Sequence, residues 1–381
     1  MHIMSSKLDI LLDVFLSLGI PGLDCMVMKD GEVIYRRTSG FSDGDRTIPV
    51  NGKELYNLYS CSKPVTCSAA LQLWEQGKFK LDDPLSDYMP EFKNMAVKTA
   101  DGVRPAKNPI LIKHLFTMTS GFDYGIGWPV AEYMRKTTEG RCPTREVMRE
   151  LAKCPLLFDP GERWEYGLSH DILAALVEVI SGERFGQYVR KNIFEPLGME
   201  NSTFLLPKEK LDLVCEQYDY DDAVKLYRPT GPEVQAYKFG SMYESGGAGM
   251  VSTVEDYMKF LEAMRVGDVI LKKETIDLMT TNMLTEKQAE TFWQKDVYYY
   301  GLGVRCPVEG KSFDFGWGGA AGSFLLVDRK HNITAFYAQH VLHSPTGNLR
   351  TRIAPTIIEQ FAGEVPTHGI TLDEEVLKKY L

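Results

Sequence analysis

The chain reads as an α/β protein of the α+β type: an antiparallel sheet built from both ends of the sequence and flanked by helices, with a mostly helical region inserted between. Three observations point there. Two β-rich runs near the N-terminus are joined by Asp30-Gly31, a dipeptide suited to the tight turns that link twisted antiparallel strands. Four more short β-rich runs, separated by Gly, Asp and Asn, crowd between residues 301 and 340. The long stretch between these two regions instead carries apolar residues at helical spacing. With 381 residues, the chain can bury one large core or two intermediate ones.

The first helix is expected over 7–18, closed by Gly19 and Pro21. Strands follow over 23–28 and 32–39. Residues 62–77 place Val65, Ala69, Leu73 and Trp74 along a helix, with Pro64 in the first turn, where a missing N–H costs little. Apolar helices are also expected over 171–181 and over 254–264, the latter capped by Thr253. The terminal strands are placed at 301–307, 312–317, 322–328 and 332–340. A sheet domain of 1–60 and 245–365, a helical insertion of 61–244 and a tail of 366–381 follow from this order.

The bulk numbers exclude several classes of function. Hydrophobic residues make up 44% and charged residues 25%, without low-complexity tracts or repeats, so the chain is expected to fold as an ordinary globular protein. Its net charge is −9 and its basic residues are scattered, which argues against nucleic acid and against an anionic membrane surface as partners. The apolar run over 8–18 is broken by Asp9 and Asp13, unlike a secretion signal, and is too short to span a bilayer. Seven cysteines, an odd number without a close Cys-x-x-Cys pair, read as reduced thiols in a cytoplasmic protein. The histidines lack metal-ligand spacing, so neither metal nor other cofactor is expected. Oligomeric state is not legible.

One stretch carries chemistry. Ser60-Cys61-Ser62-Lys63 stands at the start of a helix, which puts Ser60 and Lys63 on one face a single turn apart. A serine hydroxyl is a weak nucleophile that needs a neighbouring base, and a desolvated lysine can serve as one. The helix start adds free backbone N–H groups able to face a developing oxyanion. Tyr166, within Trp164-Glu165-Tyr166-Gly167-Leu168-Ser169, precedes an apolar helix and could relay protons from a cleft; half-buried packing is the plainer reading of that residue alone. Trp317-Gly318-Gly319-Ala320-Ala321-Gly322 suggests a strand edge where backbone approaches a ligand closely, or else a bulge. Gly40-Phe41-Ser42-Asp43-Gly44 matches the nucleophile-elbow pattern, but a polar turn follows it instead of the required helix, so Ser42 is set aside.

With the phrases Asp82-Asp83-Pro84-Leu85, His114-Leu115-Phe116-Thr117-Met118-Thr119-Ser120-Gly121 and Gly246-Gly247-Ala248-Gly249, the chain resembles the serine β-lactamase and DD-peptidase superfamily, and most nearly the class C enzymes and family VIII carboxylesterases. The resemblance runs over about 23–340. It implies Ser60 as nucleophile, Lys63 as its partner, Tyr166 as a proton carrier, and the backbone N–H groups of Ser60 and Ala320 as the oxyanion hole. Trp317, Gly318 and Gly319 fall where the third motif would bind substrate.

Two departures bear on the substrate. Leu168, counted with Tyr124 among the expected substrate-binding residues, stands where class C enzymes carry an asparagine, and Trp317 and Gly318 replace a cation and a hydroxyl. Losing one charge-assisted partner typically costs about 1.5–3 kcal/mol. The machinery for an acyl-enzyme is therefore expected to be intact, while the groups that hold a β-lactam are not. The expected activity is hydrolysis of small carboxylic esters or amides. β-Lactamase or D-amino-acid peptidase activity, acyl transfer to an alcohol or amine, and a non-catalytic binding protein are the alternatives. Tyr124, Trp128 and 298–300 fall in variable loops, where they could line a substrate pocket.

Overall fold

The computed structural model describes residues 6–231, 235 and 237–366. The first five residues and most of the expected tail lie outside them. The elements that position the site are numbered here in chain order.

Helix α1 (Lys7–Ser17) begins at Ser6, whose side chain accepts from the Asp9 backbone N–H while Asp9 answers in a capping box. Strands β1 (Gly22–Lys29) and β2 (Glu32–Gly40) form a hairpin. At its turn Asp30 and Gly31 take φ of 53° and 85°, the left-handed values that match the strands' twist. Helix α2 (Ser62–Glu75) follows a 3₁₀ turn over Tyr59–Cys61. The inserted region contributes α3 (Ile112–Phe116), α4 (Tyr124–Thr137) and α5 (Ser169–Ser181). The chain then returns through α6 (Val254–Val266), whose cap is Thr253, to β3 (Tyr298–Tyr300), β4 (Arg305–Pro307), β5 (Phe315–Gly318), β6 (Phe324–Asp328) and β7 (Ile333–Gln339). Two helices close the described chain, α7 (Gly347–Arg350) and α8 (Ile353–Ala362).

The seven strands make one antiparallel sheet in the order β2-β1-β7-β6-β5-β4-β3, so the two ends of the sequence meet where β1 pairs with β7. Both faces are covered, which explains why the central strands read as nearly unbroken apolar runs. Alternation still sorts their side chains. Leu325, Val327, Phe336 and Ala338 join the larger core beneath α2, α5 and α6, whereas Phe324, Leu326, Ala335 and Tyr337 meet α1 and α8 on the opposite face. The larger core runs without a break from this sheet into the inserted helices.

Three expectations are corrected. The strand expected over 301–307 begins only at Arg305, because 301–304 turn on the Gly301 N–H bond to the Val304 carbonyl. Residues 298–300, placed in a variable loop, form the edge strand β3 by pairing with β4. The strand expected over 312–317 is shorter and later, because residues before Phe315 bend around the Ser312 side chain, which accepts from the Val308 N–H and donates to the Val297 carbonyl. All seven cysteines are unpaired, and six are buried. No helix among the described residues is long and apolar enough to cross a membrane.

Candidate active site

The turn before α2 is held from several sides. Tyr59 sits at φ 49°, a left-handed conformation that costs a non-glycine residue about 1–3 kcal/mol, and its hydroxyl donates to Gln217 Oε1 at 2.8 Å. Ser62 Oγ donates back to the Tyr59 carbonyl at 2.6 Å and accepts the Met250 N–H at 2.9 Å. Tyr257 donates to the Cys61 carbonyl at 2.6 Å. These bonds fix Ser60 at the head of α2. Among the described residues, neither the Ser60 nor the Ala320 N–H donates to another protein group, which leaves both available to a substrate oxygen.

Lys63 is fully buried. Its Nζ lies 3.1 Å from Ser60 Oγ, 3.0 Å from the Tyr124 hydroxyl and 2.7 Å from the Gly247 carbonyl, so each of its three bonding directions has a partner. The carbonyl is itself held in place. Gly247 lies in a turn pinned by Thr66 Oγ1 on the Gly246 carbonyl, 2.7 Å, and by Ser245 Oγ on Asp171 Oδ1, 2.6 Å. A Cβ at Gly247 would stand 2.5 Å from Asp171 Oδ2, so only glycine fits. Asp171 also accepts from Tyr243 at 2.9 Å, and burial raises its carboxyl above the usual range.

Tyr166 lies beside this group in a different way. Its ring, not its hydroxyl, faces Lys63, with Nζ 4.5 Å from the ring centroid. The Tyr166 oxygen accepts the Trp317 indole N–H at 3.0 Å, which leaves its own proton free to point elsewhere. Trp164, Trp293 and Trp317 pack around the phenol at centroid distances of 5.9, 5.0 and 5.7 Å. Tyr124 completes the cluster at 5.7 Å. Burial drives the Tyr124 phenol well above its ordinary pKa, so this hydroxyl stays protonated and acts as a hydrogen-bond donor or acceptor, never as a phenolate, in the neutral range.

Ser60, Tyr124, Tyr166, Trp317, Gly318, Gly319 and Ala320 all open on one cavity of about 500 Å³, which continues past β5 toward α8. Leu168 does not. It is buried in the large core and packs under α4, where Gly127 leaves room for it: a Cβ there would stand 2.7 Å from the leucine. The position that carries an asparagine amide in class C enzymes is thus filled here by core packing. Of the adjacent pair Gly318 and Gly319, Gly319 is the constrained one, since a Cβ would meet Ser323 Oγ at 2.1 Å and the Leu58 carbonyl at 2.4 Å.

His170 and Cys61 stand near the site without facing it. His170 contacts the Phe116 carbonyl at 3.2 Å and Cys67 Sγ at 3.5 Å, and burial pushes it down to about 3, so it is neutral packing. Burial pushes the Cys61 thiol up to about 12, which removes the thiolate that reactivity requires. Ser42 is half-buried just before the polar turn of 43–46, where its Oγ donates to the Ile48 carbonyl at 3.3 Å.

Four features escaped the sequence reading. The Tyr124–Lys63 bond joins residues 61 positions apart, which no local spacing reveals. Trp293 forms a cavity wall, and so does the buried pair of Arg305 and Asp314, 2.6 Å apart, with Tyr298 bonded to Asp314 at 2.8 Å. Arg350 reaches the cavity from α7. A signal existed only for Tyr124, which directly follows Asp123, the side-chain cap of α4, and so begins a helix beside the Thr119-Ser120-Gly121 phrase.

The β-lactamase family model matches residues 8–355. Esterase EstB of Burkholderia gladioli is 31% identical over 297 residues, covering 72% of this chain and 73% of its own. The ML-236A carboxylate methylbutanoyltransferase of Penicillium citrinum is 32% identical over 288 residues, covering 68% and 65%. The solved structure of EstCE1, described as a hydrolase with promiscuous acyltransferase activity, superposes with a TM-score of 0.73 at 25% identity, over 92% of this chain and 99% of that one. The chain belongs to the β-lactamase family and is an enzyme of the serine-hydrolase type.

Proposed function

We propose that the protein hydrolyses carboxylic esters through an acyl-enzyme on Ser60. The observation that carries the reading is the unbroken contact from Ser60 Oγ to Lys63 Nζ to the Tyr124 hydroxyl, at 3.1 and 3.0 Å, inside a cavity walled by aromatic rings. With the Lys63 lone pair turned to Ser60, the amine takes the hydroxyl proton as Oγ attacks the ester carbonyl, while its N–H bonds to Gly247 and Tyr124 hold it in line. The N–H groups of Ser60 and Ala320 receive the oxyanion. Tyr166, whose oxygen is held by Trp317, hands its free proton to the departing alkoxide and recovers one from the lysine side of the cluster. Water entering by the same path then attacks the acyl carbonyl, loses its proton to the lysine–tyrosine group and releases the acid, with Ser60 reprotonated.

Several features favour esters over β-lactams. Trp317 and Gly318 offer no charge to a carboxylate at the third segment, and Leu168 offers no amide. The esterase and the acyltransferase among the relatives are named for ester chemistry, and we propose the same bond type here, with the aromatic and polar walls of the cavity setting specificity. Transfer of the acyl group to an alcohol is the second reading, favoured by the apolar cavity and by the acyltransferase names. Turnover of p-nitrophenyl butyrate in water and with added 1-butanol, beside a chromogenic cephalosporin, tests all of this. Butyric acid as the main product supports hydrolysis, butyl butyrate as the main product favours transfer, and rapid cephalosporin opening alone would overturn the ester reading.

A further inference from the structure

Arg350 ends α7 and lines the active-site cavity. Among the described residues no carboxylate pairs with its guanidinium, its Nε is buried without a hydrogen-bond partner, and burial pulls it below its ordinary range. Arg350 is half-buried on the cavity wall, and a partly desolvated charge without a counter-ion is costly. Among the described residues its guanidinium makes one specific bond: Nη1 donates to the Gly319 carbonyl at 3.0 Å.

That carbonyl belongs to the Gly319–Ala320 peptide, the same planar unit whose N–H is carried by Ala320. In a trans peptide the C=O and N–H point in opposite directions, and the described chain contains no cis bond. A guanidinium drawing on the oxygen therefore lies behind the peptide, while the N–H points away from it. Hydrogen bonds in series polarise one another, more so at low dielectric and when one donor is charged. The peptide is also fixed in place: Gly319 N–H donates to the Ser323 carbonyl at 2.7 Å, and Gly319 has no room for a side chain.

We propose that Arg350 is a positioning residue that polarises the Gly319–Ala320 peptide, strengthening the Ala320 N–H as an oxyanion donor. This rests on the ester-hydrolase reading above. The charge acts through the peptide and touches no substrate atom, so its effect is on turnover of neutral esters and not on substrate binding.

The test compares wild type with Arg350→Met, Arg350→Gln and Arg350→Lys on p-nitrophenyl butyrate and on the anionic mono-p-nitrophenyl glutarate. It also measures affinity for a trifluoromethyl ketone, which binds serine as an anionic hemiketal. Arg350→Met is expected to lower kcat about tenfold on both esters, less than the loss of a whole oxyanion donor, with KM little changed. Ketone affinity should fall by the same factor, and Arg350→Lys should recover part of both by donating from its own cation. A loss confined to KM for the glutarate ester would make Arg350 a reader of substrate charge and overturn the proposal. Unchanged kcat and ketone affinity in folded variants would overturn it as well. If Met does not fold, the Gln and Lys variants carry the same comparison. Failure of the underlying reading shows separately, as wild type without ester turnover.

Discussion

At the scale of single residues, the site depends on how Lys63 is surrounded. Spacing alone placed Ser60 and Lys63 together, because residues three apart on a helix share a face. It could not place the Tyr124 hydroxyl, which arrives from α4 through tertiary packing, nor show that Tyr166 turns its ring toward the lysine. The two tyrosines therefore make separable predictions. Tyr124→Phe removes a lysine partner, and Tyr166→Phe removes the proton offered to the leaving group; each should lower kcat on a nitrophenyl ester about a hundredfold. An alkyl ester, with its poorer leaving group, should suffer more from Tyr166→Phe than from Tyr124→Phe. Equal losses on both esters would contradict the division of labour. Trp317→Phe, which frees the Tyr166 oxygen from its indole donor, should cost less than either, and steady-state kinetics on the two esters reads all three.

At the scale of elements, what was legible is what local chemistry decides. The Thr253 cap of α6 and the Asp30-Gly31 turn both stand where the sequence put them. Their signals lie within four residues of the feature they set. The short edge strand β3 was missed because a three-residue strand of tyrosines has no pattern of its own and exists only by pairing with β4. Leu168 was misplaced for a similar reason: its position relative to Tyr166 says where the backbone goes, while the glycine gap under α4 decides that it points into the core. Two substitutions test the element-level account. Thr253→Ala removes the side-chain acceptor of the Asp256 N–H, 3.1 Å away, and should destabilise the protein by about 1 kcal/mol with ester turnover unchanged. Gly319→Ala forces a Cβ against Ser323 and the Leu58 carbonyl, so it should depress both melting temperature and kcat. Calorimetry beside kinetics separates these outcomes, and a Gly319→Ala protein with normal turnover would refute the close fit of β5 to the nucleophile turn.

At the scale of the whole molecule, the sheet closes only when residues 22–40 meet residues 333–339, and this junction carries opposed titrations. His340, buried near it, is pushed down to about 4 by desolvation; it accepts the Asn57 N–H at 3.2 Å on Nε2, with Nδ1 2.7 Å from the Cys215 carbonyl. The unfolded chain takes up this proton near 6.5 and the folded chain near 4, so its contribution is present above 6.5 and is lost as pH falls toward 4. Asp24, paired with Arg36 but almost wholly desolvated, is instead raised to about 7 from 3.8. Its contribution is present below 3.8 and is lost as pH rises toward 7. Relative to wild type, His340→Gln should therefore gain stability as pH falls from 6.5 to 4, and Asp24→Asn should gain it as pH rises from 4 to 7. Each slope is at most about 1.4 kcal/mol per pH unit, and urea unfolding at several pH values measures both. Slopes of the same sign would show that one of these burial effects has been read wrongly.

The central claim is a covalent acyl-enzyme on Ser60, and intact-protein mass spectrometry tests it most directly. Wild type and Ser60→Ala would be incubated with a fluorophosphonate and, in rapid quench, with p-nitrophenyl butyrate. The account predicts one phosphonate adduct and a transient butyryl adduct on wild type, both mapping to Ser60 and both absent from a folded Ser60→Ala protein. Adducts that persist in Ser60→Ala, or ester turnover that survives that substitution, would contradict it.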